Sequence, residues 1–188
     1  MTSHFDGSAI AAQPESLMDH EYPIEQLARS TGTRFQMGFA RMTMHLLPEF
    51  KEAMLEPSAD GLKILATNEA ALALPGDLIR QIHAEDVKIG EPQVRLLYGE
   101  VVQEPVMWVR AATARTHTEA VIQDLVTRGC DIEEVDWFAP LPVVRAKAPL
   151  RQLLGYPQAL AALSHGTADL RMWLSHYAPL PPDPEKAA

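Results

Sequence analysis

Ser164, His165 and Asp169 lie within six residues of one another. These residue types can supply a nucleophile, a general base and the acid that orients the base. Such a triad needs the base within hydrogen-bond reach of the nucleophile, and neighbours along a chain rarely point at one another that way. The stretch "ALSHGTAD" instead ends a short apolar helix pattern. Ser164 and His165 close that helix, with Gly166 as its left-handed stop. No catalysis is expected from the cluster, and the chain reads as non-enzymatic.

The other reactive residues lead to the same expectation. Cys130 follows "TRG" at a helix C-terminus, where the dipole disfavours a thiolate. As the lone cysteine it forms no internal disulfide, which points to a reducing, cytoplasmic setting. The seven histidines are His4, His20, His45, His83, His117, His165 and His176. None falls in a His-x3-His or HExxH spacing, so no metal site is expected. The pairs Glu133–Glu134 and Glu85–Asp86 read as solvated faces. There is no G-x-x-x-x-G-K-S/T sequence and no Gly-Lys pair, so neither GTP nor another cofactor is expected.

The 188 residues suit one larger domain or two small ones, and 47% apolar with 22% charged residues is a globular composition. Aromatics make up 6%, so the core rests on Leu, Val, Ile, Ala and Met. The net charge of −9 is unevenly placed. Residues 1–25 carry Asp6, Glu15, Asp19, Glu21 and Glu25 and no cation, and they read as a flexible acidic tail. That tail lacks the basic start and apolar core of a signal peptide. No apolar run approaches the ~20 residues of a membrane span.

Periodicity and turn signals supply the elements that position these residues. In "ARSTGTRFQMGFARMTMHLLPEF" the "TG" marks a turn, and Phe35, Met37, Phe39, then Met42, Met44 and Leu46 predict a long strand with one irregularity. "PEFKEAMLE" predicts a helical turn. "GLKILAT" predicts a strand from Leu62 to Ala66, and "LPGDLIRQIHAED" a helix with Leu78, Ile79 and Ile82 on one face. "EPQVRLLYGEVVQ" predicts a strand from Gln93 to Tyr98. The second half is plainer. Strand "PVMWVRAATAR" leads to helix "THTEAVIQDLVTRG", with Thr116 or Thr118 as N-cap and Gly129 as stop. Strands "DIEEVDWFAP" and "PVVRAKAP" follow, then a helical stretch broken near Gly155–Pro157, then strand "ADLRMWLSHY". The order β-α-β-β-α-β is the ferredoxin-like arrangement.

Side chains alternate across a strand. Met107, Val109 and Ala111, Val144, Ala146 and Ala148, and Leu170, Met172 and Leu174 fall on the faces that helices would cover. The open face then shows Trp108, Arg110, Arg145, Lys147, Arg171 and Trp173. Aromatics among cations on an open sheet resemble surfaces that stack RNA bases. The alternative is that this face docks onto the first half of the chain and buries the tryptophans.

The strings "EPVMWV", "VIQDLVTRG", "APLRQLLGY", "HGTA" and "SHYAPLP" occur in the order and spacing of domain V, the C-terminal domain of translation elongation factor G. The resemblance covers Glu104 to about Pro181 and implies a ferredoxin-like fold. The preceding part is similar to domain IV of the same factor. Arg29, Thr31, Gly32, Arg34, Gln36, Gly38 and Pro48 match its opening loop and strand, and "VRLLYG" resembles a later strand. "VKIGEPQV" also resembles the end of domain III. The helical stretch that joins domains IV and V is missing between Tyr98 and Glu104. The implied fold class is α+β, with two small α/β sandwich domains over 26–103 and 104–180 and a short Pro-rich tail over 181–188.

In that family the domain IV tip enters the decoding region of the small ribosomal subunit. Domain V lies near the large-subunit RNA that stimulates GTP hydrolysis. The resemblance therefore places RNA contact at Arg29, Thr31, Gly32 and Arg34 and at His165, Gly166 and Thr167. Two family arginines are replaced by Ala161 and Thr167, and each loss removes a phosphate contact. No GTPase domain is expected with this chain. The expected partner is the ribosome, through its rRNA, or a translation factor. The alternative is an interaction or oligomerisation module that keeps the fold without RNA binding, with a protein partner or a second copy on the Trp108/Trp173 face.

Overall fold

The computed structural model describes residues 21–181. The expected tail over residues 1–20 and the end of the chain from residue 182 lie outside the described residues. The first half runs β1 (Ile24–Ser30), α1 (Gln36–Leu46), β2 (Ala53–Ser58), β3 (Gly61–Ala66), α2 (Ala73–His83) and β4 (Val87–Ile89), with a two-residue β5 (Gln93–Val94). Its sheet has the order β2-β3-β1-β4, and β5 also pairs with β1. The second half runs β6 (Gln103–Ala112), α3 (Arg115–Thr127), β7 (Asp131–Asp136), β8 (Val143–Pro149), α4 (Leu150–Leu153), α5 (Tyr156–Leu163) and β9 (Asp169–Pro179). Its sheet has the order β7-β8-β6-β9. Both halves therefore place their second, third, first and fourth strands side by side, all antiparallel. The split βαβ topology expected of the C-terminal half is present, and the N-terminal half has it too.

Helices bury one face of each sheet. Phe39, Ala40 and Thr43 of α1 and Ile79 of α2 pack on Ile24, Ala28, Leu62, Ile64 and Ala66. In the second half Val121, Leu125, Leu150, Leu153, Tyr156 and Leu160 cover Met107, Val109, Ala111, Val144, Ala146 and Ala148. The predicted alternation in β6 and β8 holds residue by residue. The two cores are continuous. Glu69 also bridges the halves, its carboxylate accepting the Gly155 N–H at 2.8 Å.

The first half departs from its sequence reading in four places. Residues 36–46 form a helix, not a strand. Gln36, Phe39, Ala40 and Thr43 recur at helical spacing on the buried side, while Phe35, Met42 and Leu46 remain exposed. The segment predicted as a helical turn after Pro48 contains β2. It becomes a strand because it pairs with β3 through a tight hairpin, Ser58 opposite Gly61. Gly61 has φ +141, and a Cβ there would lie 2.3 Å from the Ala28 carbonyl oxygen, so glycine is required. The tail ends earlier than residue 25, since Ile24 is fully buried in β1. The strand predicted for Gln93–Tyr98 keeps only Gln93 and Val94, and the chain then bridges Leu97 to Gln103. In the second half neither Thr116 nor Thr118 caps α3. Ala114 occupies the cap position, and buried Thr118 donates back to its carbonyl at 3.1 Å. Gly129, at φ +78, stops that helix as expected.

Tyr156 is fully buried beneath the Arg128 guanidinium, which lies 5.2 Å from its ring, and its hydroxyl has no hydrogen-bond partner. Burial pushes that phenol's pKa up, followed by the Asp124 charge, with Arg128 opposing. Desolvating an unpaired hydroxyl costs about 1–3 kcal/mol, and removing the oxygen relieves that cost. Tyr156→Phe is therefore expected to raise unfolding stability by about 1 kcal/mol, read as a higher urea midpoint with an unchanged slope.

Candidate functional site

The Ser-His-Asp cluster is pulled apart by its own local bonding. Ser164 is buried, and its hydroxyl donates to the Leu160 carbonyl at 2.7 Å while accepting the Ala168 N–H at 3.2 Å. Its carbonyl accepts the Thr167 hydroxyl at 2.6 Å. His165 turns instead to His117 on α3, the two rings meeting edge-on at 5.3 Å. Asp169 faces Arg110 at 3.0 Å. Ser164 thus pins a tight turn, with His165 at φ +52 and Gly166 at φ +75, and presents His165, Gly166 and Thr167 to solvent.

The open face of the second sheet carries the six side chains expected there, in two rows. Lys147, Trp108 and Trp173 stand opposite one another across β8, β6 and β9. The indoles stack at 6.3 Å, and the Lys147 ammonium sits 4.0 Å from the Trp108 ring centre. The neighbouring row is Arg145, Arg110 and Arg171. Three cations in register repel one another. Carboxylates neutralise the row: Asp169 reaches Arg110 at 3.0 Å and Arg171 at 3.8 Å, and Glu134 reaches Arg145 at 2.7 Å. Glu133 takes Lys147 at 3.2 Å. Consecutive strand residues ordinarily point to opposite faces. A bulge in β7 between Ile132 and Glu134 lets Glu133 and Glu134 serve the same face. These acids are exposed, as expected, and are also ion-pair partners, and no local sequence signal marks the bulge.

The first domain does not cover this face. The halves meet on the helix side instead, through the shared core and Gly155, and Trp173 stays 45% exposed. In the first domain the Ser30–Arg34 loop is held by Gln36, whose amide donates to the Ser30 and Thr33 carbonyls at 2.9 and 2.7 Å. Thr31 bonds backbone to backbone with Asp86 at 2.9 Å, and the Gly32 N–H donates to the Ser30 hydroxyl at 3.2 Å. Arg29 is tied to Asp60, donating to its carbonyl at 3.0 Å. Arg34 is exposed and has no ion-pair partner among the described residues.

Burial shifts two further ionisable groups: Glu104, which motif reading missed, and Cys130, whose thiolate that reading already disfavoured. Glu104 is buried on β6 with Arg151 at 3.1 Å. Burial pushes its carboxyl pKa up, and Arg151 pulls the other way. Cys130 is buried, and its thiol is pushed up to about 11, first by burial, with Arg128 opposing and Asp124 and Asp131 adding. Among the described residues no group of three or more His, Cys, Asp or Glu is placed to hold a metal ion. No described helix is long and apolar enough to cross a membrane.

The geometry defines a pair of ferredoxin-like domains that present loops and an open sheet face. Residues 101–188 match the family described as Elongation factor G C-terminus. Elongation factor G of Fervidobacterium nodosum is 37% identical over 81 residues, which is 43% of this chain and 12% of that protein. The Gluconobacter oxydans factor is 32% identical over 83 residues, again 12% of its length. The second domain is thus an elongation-factor-G-like C-terminal domain, and the match spans about an eighth of the curated relatives. A crystal structure of a Thermus thermophilus protein shares the fold with a TM-score of 0.62 and 16% identity, covering 92% of this chain and 44% of that one.

Two outcomes check this electrostatic picture. A raised carboxyl pKa favours the folded state while the group is protonated, and that contribution is lost as pH rises above the ordinary value of 4.5. Wild-type stability relative to Glu104→Gln is therefore expected to fall as pH rises through and above that value, measured by urea unfolding across pH. Removing the sheet-face carboxylates frees their cations. The Glu133→Gln/Glu134→Gln double variant is expected to elute from heparin at higher salt than wild type; unchanged elution would refute the neutralisation argument.

Proposed function

We propose that this protein acts non-enzymatically on the translation machinery, binding the ribosome or modulating a factor there through exposed loops. The supporting observation is the pinned turn of the elongation-factor-G-like domain. His165, Gly166 and Thr167 stand exposed there, with His117 against His165. The first domain joins this reading through the Ser30–Arg34 loop alone, because the strand that accompanies that loop in the domain IV resemblance is a helix here. Arg34 is the cation best available for phosphate. Ala161 and Thr167 make contact weaker than arginines would. Co-sedimentation with ribosomes at low salt and release at high salt is the expected behaviour, with Arg34→Glu weakening it about tenfold or less. Absence from the ribosomal pellet at low salt would end the proposal.

A second reading rests on the self-neutralised sheet face. Cations already held by carboxylates favour a protein partner over RNA at Trp108 and Trp173. Light scattering and RNA titration separate the readings. A strict monomer with clear RNA affinity rejects the second.

A further inference from the structure

The outer edge of β9 lies in a groove. β9 ends its sheet, so its outward N–H and C=O groups have no ladder partner in that sheet. Two adjoining cavities of about 600 and 340 Å³ follow it from Leu170 to Leu174, sharing Glu52, Asn68, Met172 and Trp173. The facing wall comes from the first domain, through Glu52, Thr67 and Asn68. The larger cavity is lined on its second-domain side by Pro157, Leu160 and Leu170, with exposed Arg171 tied loosely to Asp169 at 3.8 Å. The smaller one holds Glu21 and Glu52, no cation, and the half-exposed Trp173 ring. Neither glutamate makes an ion pair among the described residues.

We propose that this groove binds an extended segment of a partner protein by strand addition to β9. Its backbone would complete the β9 edge. A Lys or Arg side chain would sit between the Glu21 and Glu52 carboxylates against the Trp173 face. An aliphatic side chain at a neighbouring position, on the opposite face of the added strand, enters the space beside Leu160 and Leu170. Charge selects the occupant. The chain's own residues 1–20 hold Asp6, Glu15 and Asp19 and neither Lys nor Arg, so they repel this wall rather than complement it.

Amide hydrogen exchange of the full chain, with NMR of the indole N–H groups, tests the assignment. The probes are a seven-residue peptide alternating Lys and Val and its Glu and Val counterpart. The Lys peptide is expected to slow exchange over residues 170–174 and shift the Trp173 indole signal, and the Glu peptide to do neither. Glu52→Lys, at an exposed position, is expected to weaken the Lys peptide about tenfold, the effect of inverting a charge contact. Equal protection by both peptides, or by neither, overturns the proposal. So does protection already present without peptide that disappears on deleting residues 1–20 or on dilution, which gives the edge to this chain itself or to a second copy.

Discussion

A small open sheet has two faces, and helices packed on one of them leave the other bare. That constraint organises both halves of this protein. Where α3, α4 and α5 lie over the second sheet, Met107, Val109, Ala111, Val144, Ala146 and Ala148 are buried and small enough for helices to approach closely. On the other face the chain must place side chains that tolerate water on a flat, close-spaced lattice. It does so with one row of stacked indoles and an ammonium, and one row of arginines. The arginine row requires nearby anions, since directly opposed like charges destabilise a sheet. Asp169 and the bulged Glu133–Glu134 pair supply them. Each exposed pair contributes at most about 1 kcal/mol, so their main consequence is the potential of the surface, not the stability of the fold.

How much of this was legible in the sequence follows from which structures have a period. β6, β8 and β9 alternate over six or more residues, and the assignment of Met107 inward and Trp108 outward needed nothing more. The turn at Gly166 and the stop at Gly129 were readable because a left-handed residue has few alternatives to glycine. α1 was not readable in the same way. Its methionines and phenylalanines alternate by chance over Phe35 to Phe39, and the deciding information is which side meets β3. That is a tertiary fact. The same holds for β2, whose strand character comes from pairing with β3 across the Gly61 hairpin. The β7 bulge left no local signal, so the ion pairs that two exposed acids make on the open face were not readable.

The relationship to elongation factor G and the surface chemistry pull in different directions. The second domain carries the family's match through residues 101–188. Yet its charges are nearly balanced, and its sheet cations are already matched by carboxylates. Phosphate binding scales with uncommitted cations. In the loops and the sheet face those are few, Arg34 above all, and it is presented by a loop that Gln36 rigidifies from beneath. A sheet face whose cations are already paired offers little net positive potential to a phosphate.

The joint between the halves then acquires a role beyond connection. Gly155, at φ +72, breaks the helical stretch into α4 and α5, and no L side chain adopts that conformation cheaply. The break aims the Gly155 N–H at Glu69, so the first domain is held against the helix side of the second. Because contact is made there, the open face stays free and β9 is left with a wall across from it rather than a partner upon it. The groove, the exposed Trp173 and the free strand edge are thus consequences of one docking geometry. A chain that instead docked its first domain on the open sheet would have buried the indoles and covered that face.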